Sequence, residues 1–333
     1  MTRRTLVGLL CACLILFGIQ PAAAETIIRV TLQLPETHSL GQNWNRFKEI
    51  IERESGGELQ LQLFPSAQLY KDNQVPEAVG SGAIEAGSSF LGRFAGSVPA
   101  VDVVALPLFF KDEAALRLSI SSGSRMRQLL DTAILEETGA RVLWWQAFGR
   151  NVFLSKDAPL TIPDDVRGKK VRSYGKVQSW TVEALGGAPT ILSGSQQFLA
   201  YQQGAVDIGM TGASAVESRK LYEVMPNMTL TFDSVIEFVA VMNNDFFERL
   251  SPQDQQLILD AASTVEEELR DAIYAQEAQA VETLREKMTV IDLSAEERDK
   301  WRAATSSVID RFMAEIGSTG EAVVKAGLEE EGR

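Results

Sequence analysis

Apolar positions along the chain follow two rhythms. Residues 26–34 (TIIRVTLQL) and 58–64 (ELQLQLF) place an apolar side chain at nearly every second position, the period of a half-buried strand. Between them Trp44, Phe47, Ile50 and Ile51 fall at helical spacing and stop before Gly56-Gly57, which suits a helix end. Residues 141–145, 170–172 and 237–242 are further strand candidates. Ser251-Pro252-Gln253-Asp254 supplies an N-cap, a proline at the first helical position and an acid at the third, opening a helix that runs to about Lys287. Ser294 with Glu297 repeats the capping signature ahead of a last helix around Trp301 and Phe312, and residues 329–331 read as a solvated tail. Strands and amphipathic helices in alternation predict an α/β fold.

One internal echo stands out, Gly82-Ala83-Ile84-Glu85-Ala86-Gly87 against Gly204-Ala205-Val206-Asp207-Ile208-Gly209. In each copy a helical stretch (75–80, then 196–203) ends at glycine, a small apolar strand follows, and a second glycine marks its exit. Two similar lobes give such an echo, and so do the helix-glycine-strand turns common to α/β folds. No third copy appears, so the chain is not a solenoid.

The first 24 residues differ in kind. Arg3 and Arg4 lead into an apolar run that ends at Pro21-Ala22-Ala23-Ala24-Glu25, the form of a secretory signal peptide cut before Glu25. The run falls short of the roughly 20 apolar residues that an uncleaved anchor needs. Lipoprotein cleavage before Cys13 would leave an apolar run at the short end of the usual range. Removing residues 1–24 takes away both cysteines, Cys11 and Cys13, so thiol nucleophiles, disulfides and cysteine-based metal sites are excluded from the exported chain. It also takes away two arginines from a chain that already carries 45 acidic against 32 basic side chains, a net charge of -13. That surface has no electrostatic reason to approach nucleic acid. His38 is the only histidine, so a Ser-His-Asp triad could be built only around it and a multi-histidine metal site cannot exist. No GxSxG, P-loop, HExxH or EF-hand pattern is present, and no cofactor is called for.

Several stretches taken together resemble the solute-binding proteins of tripartite ATP-independent periplasmic (TRAP) transporters, the DctP type. They are Gly149-Arg150, the run 165–172 (DVRGKKVR), 184–189 (ALGGAP), 203–207 (QGAVD) and the long helix after Leu250-Ser251-Pro252. The resemblance covers essentially the whole chain after residue 24. It implies a two-lobed periplasmic-binding-protein fold, type II-like, with hinge strands and a long helix bracing both lobes. Residues 25–147 with about 237–275 then form lobe I, and 148–236 with about 276–333 form lobe II. The function it implies is periplasmic capture of a small organic acid by hinge closure, as a monomer without metal or cofactor, and delivery to the small and large TRAP membrane subunits.

In that family the arginine closing the "DLKGxKxR" stretch pairs with the ligand carboxylate, and it matches Arg172; a second arginine near the ligand matches Arg150. An arginine fork suits the task because it offers two parallel donors and keeps its charge. Ser173, Tyr174 and Thr211 are candidate suppliers of further hydrogen bonds, and His38, Phe90 and Trp145 are further pocket candidates, with Glu36 and Phe148 beside two of them. His38 could equally cap the helix after it, and Arg150 could equally sit in a structural ion pair. The chain departs from the family where Thr211 stands in place of a ligand-contacting asparagine and Ile208 in place of the glycine after the aspartate. A less polar acid than a sugar acid or C4-dicarboxylate would fit that change. Two other functions remain open on sequence alone: an exported organic-acid lyase or isomerase, and a ligand-sensing partner of a membrane receptor.

Overall fold

The computed structural model describes residues 25–107, 109–110 and 113–330; the expected signal peptide and Glu331 lie outside the described residues. Ten strands build the sheet: β1 (Thr26–Thr31), β2 (Leu59–Phe64), β3 (Ala86–Phe90), β4 (Ala140–Ser155), β5 (Lys170–Ser173), β6 (Ala188–Ile191), β7 (Ile208–Gly212), β8 (Asn227–Leu230), β9 (Val235–Asn243) and β10 (Thr289–Asp292). They run in the order β2-β1-β3-β9-β4-β7-β5-β6, with β8 on β4 and β10 on β8. β1 pairs parallel to β2 and β3, whereas β9 is antiparallel to β3 and β4. Past the middle of β4 the pattern repeats, with β7 antiparallel to β4 and parallel to β5.

β4 is the strand where the two halves meet. Its residues from Ala140 to Arg150 pair with β9, and those from Asn151 to Ser155 pair with β7. Sequence alternation predicts a strand only over 141–145; β4 extends ten residues further because it is buried on both faces there, so the alternation that marks a half-buried strand is absent. A register shift between Ala147 and Gly149 kinks the crossing. Gly149 has φ +117°, and a Cβ at that position would lie 2.9 Å from Glu277 Oε1, so glycine is what lets the long helix reach the strand.

Each half has its own core on both sheet faces. Trp44, Phe47 and Ile51 cover one face of the first half against Trp144 and Ala240, while Val239, Val241 and Trp145 pack the other with Phe94, Leu130 and Phe312. In the second half Phe153, Val171 and Met210 face Trp301, and Val152 and Leu154 face Tyr201 and Met228. The long helix Pro252–Arg285 serves both: Ile258, Ala262 and Val265 join the first half, and Val281 and Leu284 join the second. Its Ser251 cap accepts from Asp254 N at 3.1 Å, as its sequence signature predicts. No helix among the described residues is long and apolar enough to cross a membrane.

Two details correct the sequence reading. The C-terminal region is three helices and not one, Ala295–Thr305, Ser307–Glu315 and Gly317–Glu330, the last beginning at a glycine with φ +62°. Residues 329–330 therefore belong to a helix and not to a solvated tail, and the Glu330 carboxylate accepts from the Arg125 backbone N–H. In the echo, Gly82 and Gly204 both adopt left-handed φ, at +77° and +66°. Their partners Gly87 and Gly209, however, are the second residues of β3 and β7 and do not mark the exits. They are glycines for space: a Cβ on Gly209 would overlap the Tyr201 hydroxyl, and one on Gly87 would lie 3.0 Å from Thr31 Cγ2.

Candidate functional site

The strands after the echoed glycines, β3 and β7, bring Phe90 and Thr211 to one cavity of about 30 Å3 between the half-sheets. The first half contributes Phe238 from β9, together with Gln33 and Asp72; Phe148 and Ile236 come from β4 and β9 where the chain crosses between the halves, and the second half contributes Arg172, Tyr174, Gln197 and Arg219. One wall is aromatic. Phe148 stacks on Phe238 with centroids 5.2 Å apart, and Phe90 meets Tyr174 edge-on at 5.0 Å.

Arg172 is the third residue of β5 and is 3% exposed. Its Nε and Nη2 donate to the Leu192 carbonyl at 3.1 and 2.8 Å, and Nη1 donates to the Met210 carbonyl. Those oxygens orient the guanidinium without neutralising it. Burial lowers its pKa, and Arg93 adds to the shift against the pull of Tyr201 and Asp72. Arg219 donates to the Gln33 carbonyl at 2.9 Å; burial and then Arg172 hold its pKa down to about 10, so it too stays cationic at neutral pH. Arg93 is salted to Asp72 at 2.9 Å, leaving Asp72 Oδ1 and Arg93 Nη2 buried without a partner.

The eight sequence candidates separate on this geometry. Arg172, Thr211, Tyr174 and Phe90 line the cavity. Ser173 sits behind it, bonded to Ser179 Oγ at 2.8 Å. His38 caps the helix Ser39–Glu54: Nδ1 accepts from Leu40 N at 3.0 Å, so Nε2 carries the proton toward Ser214 Oγ at 3.0 Å. Burial, with Arg219 nearby, drops its pKa to about 3 and keeps the ring neutral. Trp145 is packed in the first core with Nε1 on Asp131 at 2.8 Å. Arg150 lies in an ion pair with the buried Glu277 at 2.6 Å, stacked 3.7 Å from Phe232, and lines a separate cavity of about 120 Å3.

Sequence reasoning missed Arg219, Asp72, Gln33, Gln197 and Phe238. Arg219 lies in the run Glu217-Ser218-Arg219-Lys220, which looks like any solvated charge cluster. Asp72 likewise sits in a polar stretch; Gln33, Gln197 and Phe238 fell in the predicted elements 26–34, 196–203 and 237–242, but nothing marked them as pocket residues. A larger concavity, about 580 Å3, lies elsewhere, between His38, Ser214 and the long helix. It is broad and lined mainly by alanine, serine and glutamine, with none of the uncompensated cations of the smaller cavity. Among the described residues no cluster of three or more His, Cys, Asp or Glu is placed to hold a metal ion.

Comparison with known proteins identifies the family. A family model described as bacterial extracellular solute-binding protein, family 7 (DctP) matches residues 31–316. The C4-dicarboxylate-binding periplasmic protein DctP of Rhodobacter capsulatus is 30% identical over 99% of this chain and 100% of its own length. The sialic acid-binding periplasmic protein SiaP of Vibrio cholerae is 27% identical over 89% of this chain and 92% of its own. A sugar acid binding protein from Advenella mimigardefordensis, solved with galactonate, superposes with a TM-score of 0.86 at 25% identity, over 92% of this chain and 99% of that one. Matched by the family model over most of its length and by a full-length relative, the chain belongs to family 7 of the bacterial extracellular solute-binding proteins.

Proposed function

We propose that this protein is the periplasmic solute-binding component of a TRAP transporter and that it captures a small organic acid anion in the Arg172 cavity. The observation that carries the reading is a buried guanidinium held by two backbone carbonyls and no carboxylate. A desolvated cation without a counter-charge is costly, and a ligand carboxylate on its remaining donors removes that cost. Thr211, Tyr174 and Phe90 contact the same ligand, while Ser173, His38, Trp145 and Arg150 support the walls. The family is one of binding proteins and not enzymes. The enzymatic alternative also has little to work with, since a histidine whose Nδ1 is committed to a helix cap is no ready base.

A cavity of about 30 Å3 is room for roughly one water molecule. An organic acid therefore enters only when the half-sheets separate, with residues 25–147 and about 237–275 moving against 148–236 and about 276–333. The chain crosses between them near the Gly149 kink and near residues 233–237. Across the gap Arg219 reaches the Gln33 carbonyl at 2.9 Å and Ser193 reaches Asn73 at 3.2 Å, contacts that ligand binding would secure. The closed monomer, exported after cleavage before Glu25, then delivers its cargo to the small and large membrane subunits.

A thermal-shift screen against keto, hydroxy, aromatic, dicarboxylic and sugar acids tests the reading. Ligand at about 100 times its Kd adds about 2.7 kcal/mol of stability, which is readily measured. The expected outcome is a carboxylate hit lost in Arg172→Ala. A hit that survives Arg172→Ala, or a response to neutral compounds alone, overturns it.

A further inference from the structure

We propose that the protein takes up one proton at Asp102 each time its half-sheets close, so that capture of the organic anion is coupled to protonation of a carboxylate outside the ligand cavity. This rests on the reading that the half-sheets separate to admit ligand, and it adds a proton to that motion. Asp102 lies in the 3₁₀ segment Pro99–Ala105 of the first half, and the helix Lys176–Ala184 of the second half packs on that segment. The contact is apolar: Val177 and Trp180 from the helix join Val101 and Val104 in one buried cluster. Asp102 is 2% exposed there, and its Oδ1 has no partner. Gln178, on the facing helix, is 1% exposed, and both its amide atoms also lack partners. Phe90 Cε1 is their common neighbour: a Cβ on Gly92 would lie 2.4 Å from it and 2.8 Å from Asp102 Oδ1, and a Cβ on Gly175 would lie 3.0 Å from it and 2.3 Å from Gln178 Oε1. With that ring edge beside both, the amide donates nothing to the carboxylate.

The charges on the elements around Asp102 are committed elsewhere. Lys176, on the facing helix, favours the carboxylate form, but its Nζ is bonded to Glu315 at 2.6 Å. Arg93, from the 3₁₀ segment Leu91–Phe94, is paired to Asp72 at 2.9 Å, and Glu237, from β9, to Arg270 at 3.1 Å. The Tyr174 hydroxyl donates to Asn151 at 3.3 Å, and Glu321 and Lys325 of the last helix are exposed. Burial therefore prevails over Lys176 and lifts the closed-form carboxyl to about 7. When the halves part, the helix withdraws, water reaches the carboxylate and its ordinary value near 3.8 returns. Between those two values the closed form holds a proton that the open form lacks. Acidification then favours closure by up to about tenfold per pH unit, and the dependence fades above about pH 7.

Residues 25–333 contain no cysteine, so a thiol pair placed across the gap reports closure. Asn73→Cys with Ser193→Cys puts the pair where the halves touch, since the two native side chains are 3.2 Å apart. The rate at which a short bis-maleimide bridges the pair in ligand-free protein follows the closed population. Measuring it at each pH with Asp102 and with Asp102→Asn cancels the titration of the thiols themselves. The Asn protein is expected to crosslink faster, by a factor that grows at least about tenfold from pH 5 to pH 8. Asp102→Ser, neutral with a smaller side chain, should reproduce that trend, and thermal melts confirm that all variants fold. A rate ratio that does not change with pH, or an Asp102 protein as fast as Asp102→Asn at pH 8, overturns the inference. If crosslinking ignores pH while a carboxylate hit is still lost in Arg172→Ala, anion capture stands and only the proton coupling fails. If in addition no acid shifts the melt, both fail.

Discussion

Two clusters of arginine among the described residues are settled in opposite ways. Beside the long helix, Arg127 holds Glu266 through both Nη atoms at 2.8 and 3.2 Å and Asp131 at 2.6 Å, and Arg270 holds Glu237 at 3.1 and 3.2 Å. Burial pulls the pKa of both arginines down, but the acids more than offset it, and both end above the ordinary value. In the cavity Arg172 and Arg219 meet carbonyls in place of carboxylates, and both end below it. The first cluster is complete within the chain. On the proposed function the second is completed by the ligand's anion, which is how a binding site would differ physically from a structural ion network.

Asp102 shows the option that arginine lacks. It is 2% exposed with Oδ1 unpartnered, and burial pushes its pKa up to about 7 against a weaker pull from Lys176. A lone buried acid answers a missing partner by keeping its proton. The cavity arginines, even with their pKa values lowered, keep their protons at neutral pH, so the cavity stays charged.

Turning the complete cluster into an incomplete one should have the largest effect. Glu266→Ala strips Arg127 of its bidentate partner and should cost about 3–5 kcal/mol of stability, measured by urea denaturation. Ligand affinity of the folded fraction should be unchanged.

The pH dependence is next in size. Asp102 binds a proton in the folded state up to about pH 7 and in the unfolded chain only up to about 3.8, so its contribution is complete below 3.8 and is lost as pH rises to about 7. His38 runs the other way: with a folded pKa of about 3 against 6.5 unfolded, its contribution is complete above 6.5 and is lost as pH falls toward 3. The two oppose each other between about pH 4 and 6.5. Denaturation from pH 4 to 8 should show Asp102→Asn more stable than the parent at pH 8, by a few kcal/mol at most, with a steeper loss on acidification because His38 then acts alone.

The smallest effect belongs to the incomplete cluster without ligand. Arg172→Met replaces a buried, uncompensated cation by an apolar chain, and stability should hold or rise slightly. A loss as large as that of Glu266→Ala would mean that Arg172 is structural after all and would erase the distinction between the clusters.

What the sequence revealed follows the same division. Strand period and helix caps are local, so residues 58–64 and the Ser251 cap could be read directly, whereas the paired glycines placed β3 and β7 a few residues too early, each strand beginning where the echo put its end. Arg172 was legible because it closes a motif. Arg219 and Asp72 were not: nothing within a few residues distinguishes a charge that folds inward from one that faces water, and the burial of each depends on Gly194, Gln33 and Arg93, distant in sequence. The 16-residue length of β4 was hidden for a related reason, since its second half is covered on both faces and shows no period.

β4 also sets a limit on how this molecule can be engineered. Because one strand is central to both half-sheets, neither half can be produced alone with its sheet intact, and any reporter built by dividing the chain within residues 140–155 removes a strand from each piece. Gly96 offers a better place for an inserted label: it lies in a turn outside the strands, its φ is not left-handed, and no neighbouring atom comes within 4 Å of where a side chain would begin.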